Sequence, residues 1–212
     1  MDLQAAARQS FANHGILPFQ VSRIQNVDGK GVYLYINNLP DDLDAKEWLL
    51  LLESSVPAGM ADTYLFIGAC TIVSVAVAAV LGHDVLRVSL PDHKHIHKVY
   101  APATIEVADL QSDDIDTLHH TDHLVVTKLV NGIRQVLDLT GAQFQWDASM
   151  LNQWVPLDAY LEQTGSTLPG VTNPISSPFS YLTKNVTGEE ISHQACMWAM
   201  FNDLKNNAHL AL

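Results

Sequence analysis

The chain has 212 residues, 48% hydrophobic and 16% charged, a balance that suits a folded globular protein and argues against disorder. Eleven Lys and Arg against 23 Asp and Glu leave a net charge of −12, which argues against a nucleic-acid partner, because phosphate binding needs a basic patch. Two cysteines, Cys70 and Cys196, are too few for a disulfide framework and point to a reducing, cytoplasmic setting.

The opening residues, MDLQAAARQSFANHG, lack the basic region and long apolar core of a signal peptide and read as a short helix. A strand follows at Gly31–Asn38. A helix from about Asp44 to Ser55 has Asp44 as cap and Glu47 in capping-box position. VPAGMADT is rich in turn residues. Tyr64 to Leu81 then runs 18 residues without a charge, long enough to raise a membrane span. Its flanks, Asp62 and Asp84, offer no cationic anchor, and its many small residues fit a buried core helix ending at Gly82.

VLRVSL and KVYAPATIEVA read as strands, and DLQSDDIDTLHHTD as an acidic, solvated loop. WVPLDAYLEQ reads as a short helix. Ser166–Ser180 is a loop with three prolines, and the last long segment, about 188–207, is a terminal helix. Helices first and then mostly antiparallel strands give an α+β class in a single domain, 1–212. Its core spans about 31–146, after an N-terminal helical segment (1–30) and before a C-terminal extension (147–212).

The segment Asp122–Gly141 holds the sharpest local signal. Asn131-Gly132 accepts the two positive φ values of a type I′ turn and so predicts a hairpin. The register then pairs Val130 with Ile133, Leu129 with Arg134, Lys128 with Gln135, Thr127 with Val136, Val126 with Leu137 and Val125 with Asp138. Alternation puts His123 on the face of Val125, so His123 and Asp138 are diagonal neighbours on one face. A one-residue slip would separate them. An imidazole beside a carboxylate is the arrangement of a general base and the group that orients it, and equally of a structural polar pair.

A nucleophile candidate is Cys70 in IGACTIVSV, two residues after Gly68 at the expected start of the apolar helix. A helix N-terminus lowers a thiol pKa, and its free N–H groups can bind an oxyanion. Cys196, in the middle of the terminal helix, reads as core.

Together these pieces resemble the transglutaminase-like branch of the papain-like cysteine enzymes. GACTIVSVAVAAVLGHDVLRVSL is similar to that family's Gly-x-Cys helix start and Gly-to-Arg exit into a strand, with Gly68, Cys70, Gly82 and Arg87 in place. HLVVTKLVNGIRQVLDLT is similar to its His strand and following Asp strand, with His123, Asp138 and Thr140. The likeness covers about Gly68–Gln143, roughly a third of the chain. The aromatic residue usual after the His motif is absent, and aromatic character is displaced to Phe144 and Trp146. DLTGAQF is similar to a segment of the arylamine N-acetyltransferases, whose Arg-Gly-Gly lead-in to the Cys is missing here.

The resemblance implies a transglutaminase-like (papain-like) core, a buried helix packed on an antiparallel sheet. It implies a Cys70–His123–Asp138 triad performing acyl transfer or amide/ester hydrolysis through a thioester, with no cofactor or metal. The partner would be a small-molecule or peptide acyl donor, not a membrane. Alternatives are a non-catalytic binding or scaffold protein on the same fold, and an arylamine N-acetyltransferase-like enzyme. Trp48, Tyr64, Asn37 and Asn38 are candidates for the oxyanion side of the cleft. His93, His95 and His97 alternate in DHKHIHKVY and would share a strand face, without a Cys or a well-spaced carboxylate to complete a metal set. His119 and His120 are rival bases: His119 has the right parity for Asp138 but lies further away, and His120 has the wrong parity.

Overall fold

A computed structural model describes residues 3–14, 20–27, 30–36, 47, 49–50, 53–54, 61–66, 68–91, 95–101, 116–119, 122–144, 146, 150–170, 178, 182 and 190–207. The elements are α1 (Leu3–His14), β1 (Gln20–Val27), β2 (Lys30–Ile36), α2 (Ala61–Leu65), α3 (Cys70–Leu81), β3 (Asp84–Ser89), β4 (His95–Ala101), β5 (Asp116–His119), β6 (Asp122–Val130), β7 (Ile133–Leu137), β8 (Trp154–Pro156), α4 (Leu157–Thr164) and α5 (Glu190–Asn206). A 3₁₀ turn occupies Gly141–Phe144. Residues 47, 49–50 and 53–54 are helical, where a helix was expected, and its Asp44 cap lies outside the described residues.

The class is α+β. One four-stranded sheet has the order β1-β2-β4-β5 and the other β3-β6-β7-β8. The second is antiparallel throughout. The first departs from the antiparallel expectation, because β2 runs parallel to β4.

α3 packs on β6 and β3, and α5 and α1 pack against α3. Val73, Val75, Ala76, Val77 and Ala78 of α3 are wholly buried, so this helix is apolar all round, as a core helix is. Period-two alternation divides the second sheet. Val85, Leu124, Val126 and Leu137 share the helical core, while Leu86, Val88, Val125 and Val136 join Met150 and Tyr160 in a smaller cluster. Each such fully buried Val or Leu contributes roughly 1.5–3 kcal/mol.

The N-terminal segment 1–30, expected to be helical, holds strand β1 as well as helix α1. Three further expectations change. The uncharged run Tyr64–Leu81 is not one helix: α2 ends at Leu65, Gly68 turns at φ +71°, and α3 begins at Cys70. At 12 residues α3 is about 18 Å long against an apolar bilayer of about 30 Å. Among the described residues no helix is long and apolar enough to cross a membrane. Second, part of the expected acidic loop is strand β5, paired antiparallel with β4. Third, WVPLDAYLEQ opens with strand β8 before helix α4 starts at Leu157. The loop from Ser166 also begins with order, since Ser89 and Thr167 exchange backbone hydrogen bonds of 2.8 and 2.9 Å.

α3 ends as its sequence indicates. Gly82 adopts the left-handed conformation (φ 66°, ψ 33°), and its N–H bonds the Ala78 carbonyl. The other end is fixed to the sheet by Ser74, whose Oγ donates to the Leu124 carbonyl at 2.7 Å. Both groups are buried, so Ser74→Ala leaves that carbonyl short of a partner. The expected cost is about 1–3 kcal/mol, read from urea denaturation midpoints.

Candidate active site

The hairpin register is the expected one from Val130↔Ile133 to Val126↔Leu137. Asn131 (φ 51°) and Gly132 (φ 81°) form the turn. The ladder stops there, and Asp138 lies just past the end of β7. The parity still holds: His123 Nε2 is 3.0 Å from Asp138 Oδ2, with both side chains fully buried.

The early end of β7 also admits the cysteine. In a two-residue hairpin, alternate residues of β6 direct their N–H and C=O toward β7, beginning with Val130 and running through Val126. Leu124 is the next in that series and has no paired residue on β7. The start of α3 fills the gap. Ser74 takes the Leu124 carbonyl, and the Leu124 backbone stabilises the Cys70 thiolate. The start of α3 is thereby docked on β6, and Cys70 comes within the electrostatic reach of His123.

Asp138 is saturated. Oδ1 accepts from the N–H groups of Thr140 (3.0 Å) and Gly141 (2.8 Å), and Oδ2 accepts from Tyr160 Oη (2.7 Å) and faces His123. Burial disfavours its charge, but His123 and these donors outweigh that and hold its pKa below the ordinary carboxylate value. The same balance acts on His123. Desolvation works against the imidazolium, yet Asp138 and Cys70 push its pKa up to about 10. Burial would raise the Cys70 thiol, but His123, the Leu124 backbone and Thr71 bring it below the ordinary thiol value. Each group thus favours the charged form of the next: the carboxylate stabilises the imidazolium, and the imidazolium makes the thiol easier to ionise than an ordinary cysteine. Cys196 is the contrast: burial alone pushes its thiol up to about 11. Both cysteines are free.

Aromatic rings enclose the imidazole. Phe144 and Trp146 meet the His123 ring edge-on, at centroid distances of 5.0 and 5.6 Å, and Trp146 meets Tyr160 the same way at 5.8 Å. The displaced aromatics of the sequence thus pack on the histidine. His123 is 0% exposed, whereas Cys70 keeps 9%, so the thiol is the more exposed of the two. Nε2 is committed to Asp138, and Nδ1 has no hydrogen-bond partner among the described residues. Nδ1 is the atom left to exchange a proton at the thiol.

The other expected residues fall elsewhere. Arg87 is half-exposed on β3, 3.5 Å from Asp122. His119 is on β5 in the first sheet, paired with His95, and so is not a rival base on β6. Asn37, Asn38, Trp48, His93 and His120 lie outside the described residues, as do the side chains of Tyr64, His95 and His97. Among the described residues no cluster of His, Cys, Asp and Glu is arranged to hold a metal. Two site residues escaped the sequence reading: Tyr160 from α4 and Gln143 from the 3₁₀ turn. Neither stands in a motif that marks it. Gly141 is dictated by the carboxylate: a Cβ there would collide with Asp138 Oδ2 and lie 2.6 Å from Leu151 and 2.8 Å from Trp146.

The chain matches no known protein family, no curated protein and no solved structure.

Two measurements check this electrostatic account. Tyr160→Phe keeps the ring and removes one donor to a buried charge, for an expected loss of about 1.5–3 kcal/mol in denaturant unfolding near neutral pH. The pH dependence has a definite sign. A histidine raised from 6.5 to about 10 contributes stability that is fully present below 6.5 and lost as pH rises through about 10. The stability gap between wild type and Asp138→Asn is therefore expected to narrow across that range. A gap that stays constant would mean His123 is neutral in the fold.

Proposed function

We propose that the chain is a cysteine-dependent acyl-transfer enzyme or amide/ester hydrolase, working through a thioester on a transglutaminase-like fold. One observation carries the reading: a buried imidazole is bonded to a carboxylate saturated with donors and also lowers the pKa of a thiol at a helix start. A core cysteine needs no such partners, as Cys196 illustrates.

The chemistry follows from the order of the groups. The Cys70 thiolate attacks the carbonyl carbon of the acyl donor, forming a C–S bond and moving the carbonyl electrons onto oxygen. N–H groups at the start of α3, that of Cys70 included, are the donors for this oxyanion, since the first turn of a helix has no intrahelical acceptors for them. No side chain caps this helix start. His123 then gives its Nδ1 proton to the leaving amine or alkoxide as the C–N or C–O bond breaks. Water or an acceptor amine next attacks the thioester, losing its proton to His123, and the thiolate is expelled. Asp138 keeps Nε2 hydrogen-bonded throughout and stabilises the imidazolium. A reducing, cytoplasmic setting suits a nucleophile that must remain a free thiolate.

The test is the pH dependence of Cys70 alkylation by iodoacetamide, read by mass spectrometry, in wild type and His123→Ala. The wild-type thiol is expected to react rapidly well below pH 8. The variant's midpoint is expected to rise toward the ordinary thiol value of about 8.5. Slow reaction in both proteins would favour the scaffold alternative. A Cys70-bound acyl group after incubation with an activated ester, absent in Cys70→Ser, is the accompanying result. Acylation by acyl-CoA alone would favour the N-acetyltransferase-like alternative. Above a pH of about 10, turnover is expected to fall while alkylation persists, because the imidazolium is lost but the thiolate is not.

A further inference from the structure

Gln143 is almost completely buried, and both ends of its carboxamide are in use. Oε1 accepts from the Gly68 N–H at 3.0 Å, and Nε2 donates to the Thr140 carbonyl at 3.0 Å. Thr140 in turn gives its N–H to Asp138 Oδ1. Gly68 stands two residues before Cys70. A second connection therefore runs from carboxylate to cysteine, through Thr140, Gln143 and Gly68, without passing through His123.

This connection acts where α3 is weakest. Cys70 is the first residue of the helix, and the Val73 N–H to Ala69 carbonyl bond closes its first turn. Ala69 offers no side-chain cap, and helix ends fray. Gly68 is also exposed and in the left-handed region, so its own conformation does not anchor the turn. The Gln143 carboxamide is the described side chain that fastens it. A carboxamide carries its acceptor oxygen and its donor nitrogen on separate atoms of one head group, which is what the Gly68 N–H and the Thr140 carbonyl require. A Glu here would set a carboxylate oxygen against the Thr140 carbonyl, and a Met would leave the Gly68 N–H without its acceptor.

We infer that Gln143 is a positioning residue that locks the Gly68–Cys70 turn to the Asp138 loop, holding the thiol at the imidazole. This rests on the reading of Cys70 as the nucleophile. Its distinguishing property is that it acts on the Cys70–His123 geometry and not only on the stability of the fold.

The test compares pH profiles of iodoacetamide alkylation at Cys70, together with Tm, in wild type, Gln143→Glu, Gln143→Met and Gly82→Ala. Gly82→Ala strains the far end of the same helix and serves as the control for destabilisation alone. Both Gln143 variants are expected to raise the alkylation midpoint, with the rate at pH 6 falling roughly tenfold for each unit of rise. Gly82→Ala is expected to lower Tm and leave the midpoint where it is. Should Gln143→Glu fail to fold, Gln143→Met carries the comparison. Gln143 variants that lose Tm but keep the wild-type midpoint would overturn the inference, leaving Gln143 as a structural bond. A wild-type midpoint that is ordinary and indifferent to His123→Ala would overturn it by a different route, because the nucleophile reading would then have failed first.

Discussion

The arrangement depends on one buried charge. A carboxylate taken out of water is costly unless donors replace the lost hydration, and Asp138 receives them from three directions. The loop behind it supplies two backbone N–H groups, α4 supplies the Tyr160 hydroxyl, and β6 supplies the imidazole. Each donor constrains its own neighbourhood. The N–H pair forces a tight turn with no room for a side chain at Gly141. The hydroxyl brings α4 onto the lower face of the sheet, where Tyr160 also completes a small apolar cluster. The imidazole must carry its proton on Nε2, which determines the nitrogen available to the cysteine.

The second constraint is topological. Had β7 continued for another pair, Leu124 would be bonded to a strand and its carbonyl would be closed to Ser74. By ending at Leu137, the strand leaves the Leu124 carbonyl for Ser74, near the start of α3, to take. The same chain reversal that ends β7 places the carboxylate. One local event thus sets the carboxylate beside the imidazole and leaves room on β6 for the first turns of α3.

The part of this that could be read beforehand is the part governed by short-range rules. Asn131-Gly132 sets a register, and the period of two then puts His123 and Asp138 on one face without any knowledge of the rest. Gly68 before Cys70 marks a helix start, and Gly82 marks its end. What stayed hidden depends on distant chain segments. Tyr160 reaches Asp138 across 22 residues, and Gln143 reaches Gly68 across 75, with nothing local to announce either bond. The separate helix α2 was not legible in the run Tyr64–Leu81, because its last residues, Tyr64 and Leu65, share the apolar, uncharged character of α3. The strand at Asp116–His119 was concealed by its acidic surroundings, since strand formation there depends on the partner β4 rather than on composition.

The separation of 75 residues between Gly68 and Gln143 also orders events during folding. The β6–β7 hairpin is a local structure, and hairpins form in about 1–10 μs. Closing the long loop that brings in α3 is a non-local step with a greater entropic cost, so it comes later. The imidazole and carboxylate can therefore meet while the cysteine is still elsewhere. Until that docking, Cys70 lacks the His123 and Leu124 groups that lower its pKa. The lowered pKa is a property of the finished fold, and partly folded chains pass through the stage of exposed apolar surface without it.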